Sequence, residues 1–149
     1  METVENRLLG FVELCREAGL KATHQRTGIY RELARTDEHP DADTVFRRVR
    51  RRVPAISLDT VYRTLRLLEE RSVIWRVASV GDRTRFDANT ARHHHFVCRG
   101  CGRVQDFTHK EFDSFPTPRD VAGLGVVESV CVELRGLCTN CRAKRRGGA

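Results

Sequence analysis

Ser57-Leu58-Asp59-Thr60-Val61-Tyr62-Arg63-Thr64-Leu65-Arg66-Leu67-Leu68 is the stretch on which the fold turns. On a helical wheel Leu58, Val61, Leu65 and Leu68 fall on one side, while Thr60, Arg63 and Leu67 fall on the other. The first side is a core face. The second is short-chained, hydroxylic and basic. After the helix come residues 73–77 and 84–87, two β-prone runs that Gly81-Asp82 marks as a hairpin. Such a helix followed by a hairpin spells a winged helix-turn-helix, whose recognition helix lies in the major groove with side chains reaching base edges.

Toward the N-terminus the same reading gives three more helices. Leu8, Phe11, Val12, Cys15 and Ala18 follow helical spacing, and Gly19 is placed to end that helix in a left-handed conformation. Thr23 is positioned to cap a second helix carrying Ile29, Tyr30, Leu33 and Ala34, which runs out at Asp37-Glu38-His39-Pro40. Asp41 is positioned to cap a third, with Val45, Phe46 and Val49 inward and Pro54 stopping it. The run Arg47 to Arg52 is either a solvated helix face or a phosphate contact.

Beyond Asn89 the pattern changes to strand pieces: residues 95–97, 104–107 and a long alternating run over 126–134. Pro116 and Pro118 divide residues 111–124 into a short helix, a break and a second helical turn. The basic tail over 142–149 is expected to fray. The fold class is therefore α+β: an N-terminal winged helix-turn-helix DNA-binding domain over 1–88, then a small α/β domain over 89–149.

Two Cys-x-x-Cys pairs, Cys98/Cys101 and Cys138/Cys141, bracket that second domain and supply the four thiolates of a tetrahedral structural Zn²⁺ site. A thioredoxin-like redox pair would need a βαβ context, which is missing. His93, His95, Asp87 and Asp106 are then left as nitrogen and oxygen donors for a second, less thiophilic metal. Strand alternation sends residues 93 and 95 to one side and leaves His94 as an exposed neighbour. Cys15 and Cys131 read as simple core, and His24 and His109 as surface residues.

Composition sets the outer limits. The chain has 149 residues, 40% hydrophobic and 32% charged, with no apolar run long enough to cross a bilayer. No membrane partner is expected. Met1 is followed by Glu2 and Glu5 rather than a basic and then apolar leader, so a cytoplasmic protein is expected, where six cysteines favour metal over disulfides. A net charge of +7 and a pI near 9.5 suit a polyanionic partner.

The order of these features resembles the ferric uptake regulator family. The resemblance rests on Thr23-His24-Gln25-Arg26, Thr60-Val61-Tyr62-Arg63, Arg85-Phe86-Asp87, His93-His94-His95 and the two knuckles, and spans almost the whole chain. It is most similar to the peroxide-responsive branch, whose regulatory metal is held by three His and two Asp. The resemblance implies His39, Asp87, His93, His95 and Asp106 as ligands for regulatory Fe²⁺ or Mn²⁺, and Cys98, Cys101, Cys138 and Cys141 as ligands for one structural Zn²⁺ per subunit. It also implies a homodimer built through the second domain, and a repressor whose Thr60, Tyr62, Arg63 and Arg26 meet a double-stranded DNA operator. An iron- or zinc-uptake regulator without peroxide sensing is the alternative within the family.

Four departures mark this chain. His24 stands where the family usually has Pro, and Arg63 is typical of iron-uptake members where the peroxide branch can carry Asn. A further His found on the last long strand of some relatives is absent, and Pro116/Pro118 interrupt what is usually a single helix. An enzyme is not expected: five protein ligands leave little room for water and substrate, and no spare general base is evident, so no catalytic residue is assigned.

Overall fold

Three side-chain caps start the helices of the N-terminal half. Thr23 Oγ1 accepts from the Arg26 amide at 3.4 Å, Asp41 Oδ1 from the Thr44 amide at 2.9 Å, and Ser57 Oγ from the Thr60 amide at 3.1 Å. They open α2 (His24–Ala34), α3 (Ala42–Arg50) and α4 (Leu58–Glu70), which follow α1 (Val4–Glu17). Gly19 ends the first helical segment at φ 68, where a side chain would be strained. The computed structural model describes residues 4–80, 83–121, 123–127 and 129–147.

The chain divides into two units, Met1–Thr90 and Ala91–Ala149. In the first, α1 packs on α2, α2 on α3 and α3 on α4. Phe11 stacks on Tyr30 with ring centroids 4.2 Å apart, and Ile29, Val45, Val61, Leu65, Leu68 and Ile74 are fully enclosed around them. The wheel's inward Val61, Leu65 and Leu68 thus enter the core, whereas Leu58 is only half-buried and Val12 of α1 is exposed. Burying side chains of this size contributes about 1.5–3 kcal/mol each, so the apolar stripe of α4 is what seats the helix.

β1 (Trp75–Val80) and β2 (Arg83–Asp87) form an antiparallel pair with Trp75 opposite Asp87 and Val77 opposite Arg85. The strand begins at Trp75 rather than at Val73, because Val73 and Ile74 are spent in the helical core. Arg76 grips Glu69 through two hydrogen bonds of 2.7 and 2.8 Å, tying β1 to the end of α4. The expected turn at Gly81-Asp82 lies outside the described residues.

The second unit is a three-stranded sheet in the order β4-β3-β5. β3 (His94–Cys98) pairs antiparallel with β4 (Val104–Phe107) and parallel with β5 (Glu133–Gly136). α5 (Lys110–Asp113), a single 3₁₀ turn (Arg119–Val121) and α6 (Thr139–Arg146) complete it. Pro116 and Pro118 separate α5 from the 3₁₀ turn, as their missing amides require. The expected strand over 126–134 is corrected: among the described residues, pairing starts only at Glu133, opposite His95. Val132 stands at the margin of this ladder: its carbonyl accepts from the His95 amide at 3.0 Å, while its own amide donates to the His94 ring Nδ1 at 3.2 Å. Glu128 of that run lies outside the described residues.

Candidate metal centres

Cys98 closes β3, Cys101 follows in the turn, Cys138 caps α6 and Cys141 lies in its first turn. These four Sγ atoms lie within 4.8 Å of one another. Cys101 and Cys138 sulfurs are 3.8 Å apart, and four thiolates on a tetrahedral Zn²⁺ at about 2.3 Å stand about 3.8 Å from each other. Gly100 makes room for this. A Cβ on it would meet both Cβ and Sγ of Cys141 at 3.0 Å. The quartet fits a structural Zn²⁺, and its electrostatics explain the need for a cation.

The Cys138 and Cys101 backbone amides pull the Cys98 thiol down to about 6 against the opposing effect of burial, with Gly100 adding a further donor. Contact with Cys138, burial, and the Cys101 and Cys98 sulfurs push Cys141 up to about 12. Four negative charges at this spacing coexist only around a dication, which is how a bound zinc joins β3 to α6.

The second donor set is of nitrogen and oxygen and divides between the units. In the first unit His39 fills the corner between α2 and α3, 1% exposed and at φ 50, with Nε2 3.4 Å from Asp87 Oδ2 at the end of β2. Asp87 Oδ1 accepts from the Asn89 amide at 2.7 Å, which turns its other oxygen to His39. In the second unit His93 and His95 bring their Nε2 atoms within 3.0 Å of each other. Asp106 Oδ1 lies 3.7 Å from the first and 3.5 Å from the second. His95 and Asp106 are direct partners across β3 and β4, so the register of one antiparallel pair sets this arrangement.

His93 Nδ1 lies 2.7 Å from the Ala91 carbonyl, to which it donates, leaving the Nε2 lone pair for a ligand. Two imidazole nitrogens and a carboxylate facing one another suit a divalent cation that prefers nitrogen and oxygen donors, such as Fe²⁺ or Mn²⁺, better than a thiol-based site does.

Two of the residues beside this set were not foreseen correctly from sequence. His94, expected as an exposed neighbour, is wholly buried: its Nδ1 accepts from Val132, its Nε2 lies 3.1 Å from Asp113 Oδ1, and Phe107 and Phe112 pack on its ring. Cys131, expected as core, is exposed, with its sulfur 3.4 Å from His95 Nδ1. A strand's alternation names the two faces but not what covers each of them. Cys15 is fully buried, as its helix face requires, and burial raises its thiol above the usual range. His24 and His109 are exposed.

The residues expected to meet DNA are placed unequally. Arg63 stands out from α4 with its side chain 78% exposed, 3.5 Å from Asp59 one turn earlier. Tyr62 is 49% exposed. Thr60 is half-buried, with its hydroxyl 2.8 Å from the capping Ser57. Arg26 folds back, donating to the Lys21 carbonyl at 2.8 Å.

The model of the ferric uptake regulator family matches residues 17–121. The chain belongs to the ferric uptake regulator family. Members of this family are metal-responsive transcription regulators that bind DNA as dimers. A peroxide-responsive repressor, PerR, of Staphylococcus epidermidis is 29% identical to this family member over 143 residues, which are 95% of each chain. The Campylobacter jejuni peroxide stress regulator is 26% identical at a TM-score of 0.68, over 85% of this chain and 94% of its own. A zinc-bound manganese uptake regulator is 30% identical at a TM-score of 0.64, over 85% of this chain and 97% of its own. Among the described residues of this Fur-family chain, no helix is long and apolar enough to cross a membrane.

Proposed function

We propose that this Fur-family regulator is a cytoplasmic, homodimeric repressor that senses peroxide, with Fe²⁺ or Mn²⁺ as co-repressor and one structural Zn²⁺ per subunit. Residues 1–88 form its DNA-binding domain and residues 89–149 its dimerisation and metal-binding domain. One ion takes His39 and Asp87 from the first and His93, His95 and Asp106 from the second, and so fixes the angle between them. The observation that carries this reading is that each unit presents a partial donor set of the same nitrogen and oxygen chemistry, two donors in one and three in the other. Neither set alone saturates a divalent ion that accepts five or six ligands.

The chain's own residues then do the work. The angle between domains sets the separation of the two recognition helices in the dimer, and major-groove half-sites lie roughly 34–36 Å apart or a multiple of that. Arg63, exposed at the centre of α4, reads base edges. Thr60 shares that outward face, Tyr62 adds its exposed ring from the adjacent side of the helix, and Arg26 supports them from α2. A cation binding the closed arrangement about 100-fold better than the open one shifts the equilibrium by roughly 2.7 kcal/mol, enough to switch operator occupancy. Fe²⁺ held by these residues would activate peroxide, the oxidant, which is reduced to water as one oxygen atom is added to the imidazole of His39 or His93; Mn²⁺ would not supply this chemistry. Loss of His39 or His93 as a donor then opens the angle and releases DNA. The binding of a dication, rather than turnover, is the role this donor set plays, and no enzymatic activity is assigned.

A second reading, a metal-uptake regulator without peroxide response, is supported by Arg63 and by the 30% identity to the manganese uptake regulator. Operator binding with Fe²⁺ or Mn²⁺ before and after peroxide separates the two. Loss of binding with Fe²⁺ alone, with one oxygen atom added to the His39 or His93 peptide, supports peroxide sensing. Retained binding with unmodified histidines supports the uptake reading.

A further inference from the structure

The motif Arg85-Phe86-Asp87 is only partly used by the metal reading. Asp87 offers a donor and Phe86 enters the core at 6% exposure, which leaves the role of Arg85 to be explained. Side chains two apart on a strand share a face, so Arg85 and Asp87 leave β2 on the same side. Both reach the corner between α2 and α3. Arg85 Nη1 donates to the His39 carbonyl at 3.2 Å and to the Glu38 carbonyl at 3.5 Å. The Phe86 amide donates to the Pro40 carbonyl at 3.2 Å, Asp41 bridges to Arg85 through the backbone, and Arg83 Nη1 holds Asp41 Oδ2 at 3.1 Å.

All of these bonds converge on residues 38–41, and His39 in their midst has φ 50. A residue with a Cβ is strained in that left-handed region and stays there only when its surroundings over-determine it. Its imidazole is 1% exposed and directed to Asp87. We propose that Arg85 is a positioning residue for the regulatory metal: by holding the Glu38 and His39 carbonyls, it keeps His39 in the left-handed conformation that aims its imidazole at Asp87. The inference rests on the proposed regulatory site. It makes β2 a single part that carries one donor itself and fixes the backbone of another.

The sign of the effect separates this role from a simple charge effect. A guanidinium near a dication opposes its binding, so removing only charge would tighten Mn²⁺. Removing a positioning bond loosens it, and outer-shell partners of metal ligands typically matter 10–100-fold. The test is Mn²⁺ titration of zinc-loaded, full-length protein, read from the electron paramagnetic resonance signal of free Mn²⁺, for wild type, Arg85→Ala, Arg85→Lys and Asp106→Ala. Hydrogen exchange at the Phe86 amide is measured alongside, without Mn²⁺.

Arg85→Ala is expected to weaken Mn²⁺ roughly 10–100-fold and to speed Phe86 exchange at unchanged zinc content. Arg85→Lys, which keeps the charge without the rigid fork, should fall between wild type and Ala, and it carries the test if the Ala variant does not fold. Asp106→Ala should lose Mn²⁺ whatever Arg85 does. If Asp106→Ala binds Mn²⁺ as wild type does, the regulatory-site reading fails and takes this inference with it. If Asp106→Ala loses Mn²⁺ while the Arg85 variants bind it as tightly as wild type or tighter, the positioning role alone is overturned.

Discussion

Adding a methyl group at Gly100 tests the zinc quartet at its tightest point. A Cβ there stands 3.0 Å from both Cβ and Sγ of Cys141 and 3.2 Å from Leu137 Cδ2. Carbon contacts are comfortable at about 3.5–4.0 Å, so the cysteine would have to retreat by roughly half an ångström or more. Leu137 meets the methyl with the end of a flexible side chain and yields cheaply; Cys141 is held in the first turn of α6 and does not. Zinc–sulfur bonds tolerate displacements of only about 0.2 Å. Gly100 is outside the left-handed region, so contact rather than backbone strain sets the cost. Overpacking of this kind costs about 1–3 kcal/mol. Zinc affinity of Gly100→Ala should therefore fall roughly 5- to 150-fold. Competition with a chromophoric chelator measures it directly, with circular dichroism of the zinc-saturated protein as the control for folding. Wild-type zinc affinity in a folded Gly100→Ala variant would refute the assignment of Cys141 as a ligand packed against this turn.

Asp106→Ala is expected to abolish Mn²⁺-dependent operator binding while leaving zinc content and the dimer intact, as gel shift, metal analysis and sedimentation would show. Arg63→Ala should weaken specific operator binding by about 1–3 kcal/mol per lost base contact without changing metal content, and an unchanged footprint would remove α4 from the groove. For Asp41, burial pushes the carboxyl up, but hydrogen bonds from Thr44 and from Arg83 outweigh it and hold it below the ordinary 3.8. A carboxyl depressed by folding contributes stability above its unfolded value, and that contribution is lost as pH falls through the folded value. Asp41→Asn, still a good cap, should therefore flatten the acid limb of denaturation curves recorded from neutral pH downward.

Much of the first unit was legible because its signals are local. Thr23, Asp41 and Ser57 cap helices through atoms three residues away, and Gly19 ends one by its own backbone freedom. Val61, Leu65 and Leu68 declare their buried face by spacing alone. The cysteine quartet was legible because spacing within each knuckle is local and zinc chemistry demands four sulfurs. What the sequence concealed depends on partners distant in the chain. His94 is buried because Phe107, Phe112 and Val132 arrive from three other segments, and the amide of Val132 goes to that histidine while its carbonyl takes the His95 amide. The alternation over 126–134 signals a strand, yet a strand exists only where a partner offers its ladder, here from Glu133. Arg85 was legible as part of a motif, but its grip on the His39 corner crosses 46 positions of sequence.

In the proposed regulatory centre one dication draws nitrogen donors from both units. Counting the imidazole nitrogens coupled to bound Mn²⁺ by pulsed electron paramagnetic resonance, in wild type, His39→Ala and His95→Ala, addresses it most directly. Wild type is expected to show the nitrogens of His39, His93 and His95, and each variant to lose one, although the two substitutions lie in different units. An unchanged nitrogen count in His39→Ala would contradict it, since the ion would then be held without the first unit and have no lever on the DNA-reading helices.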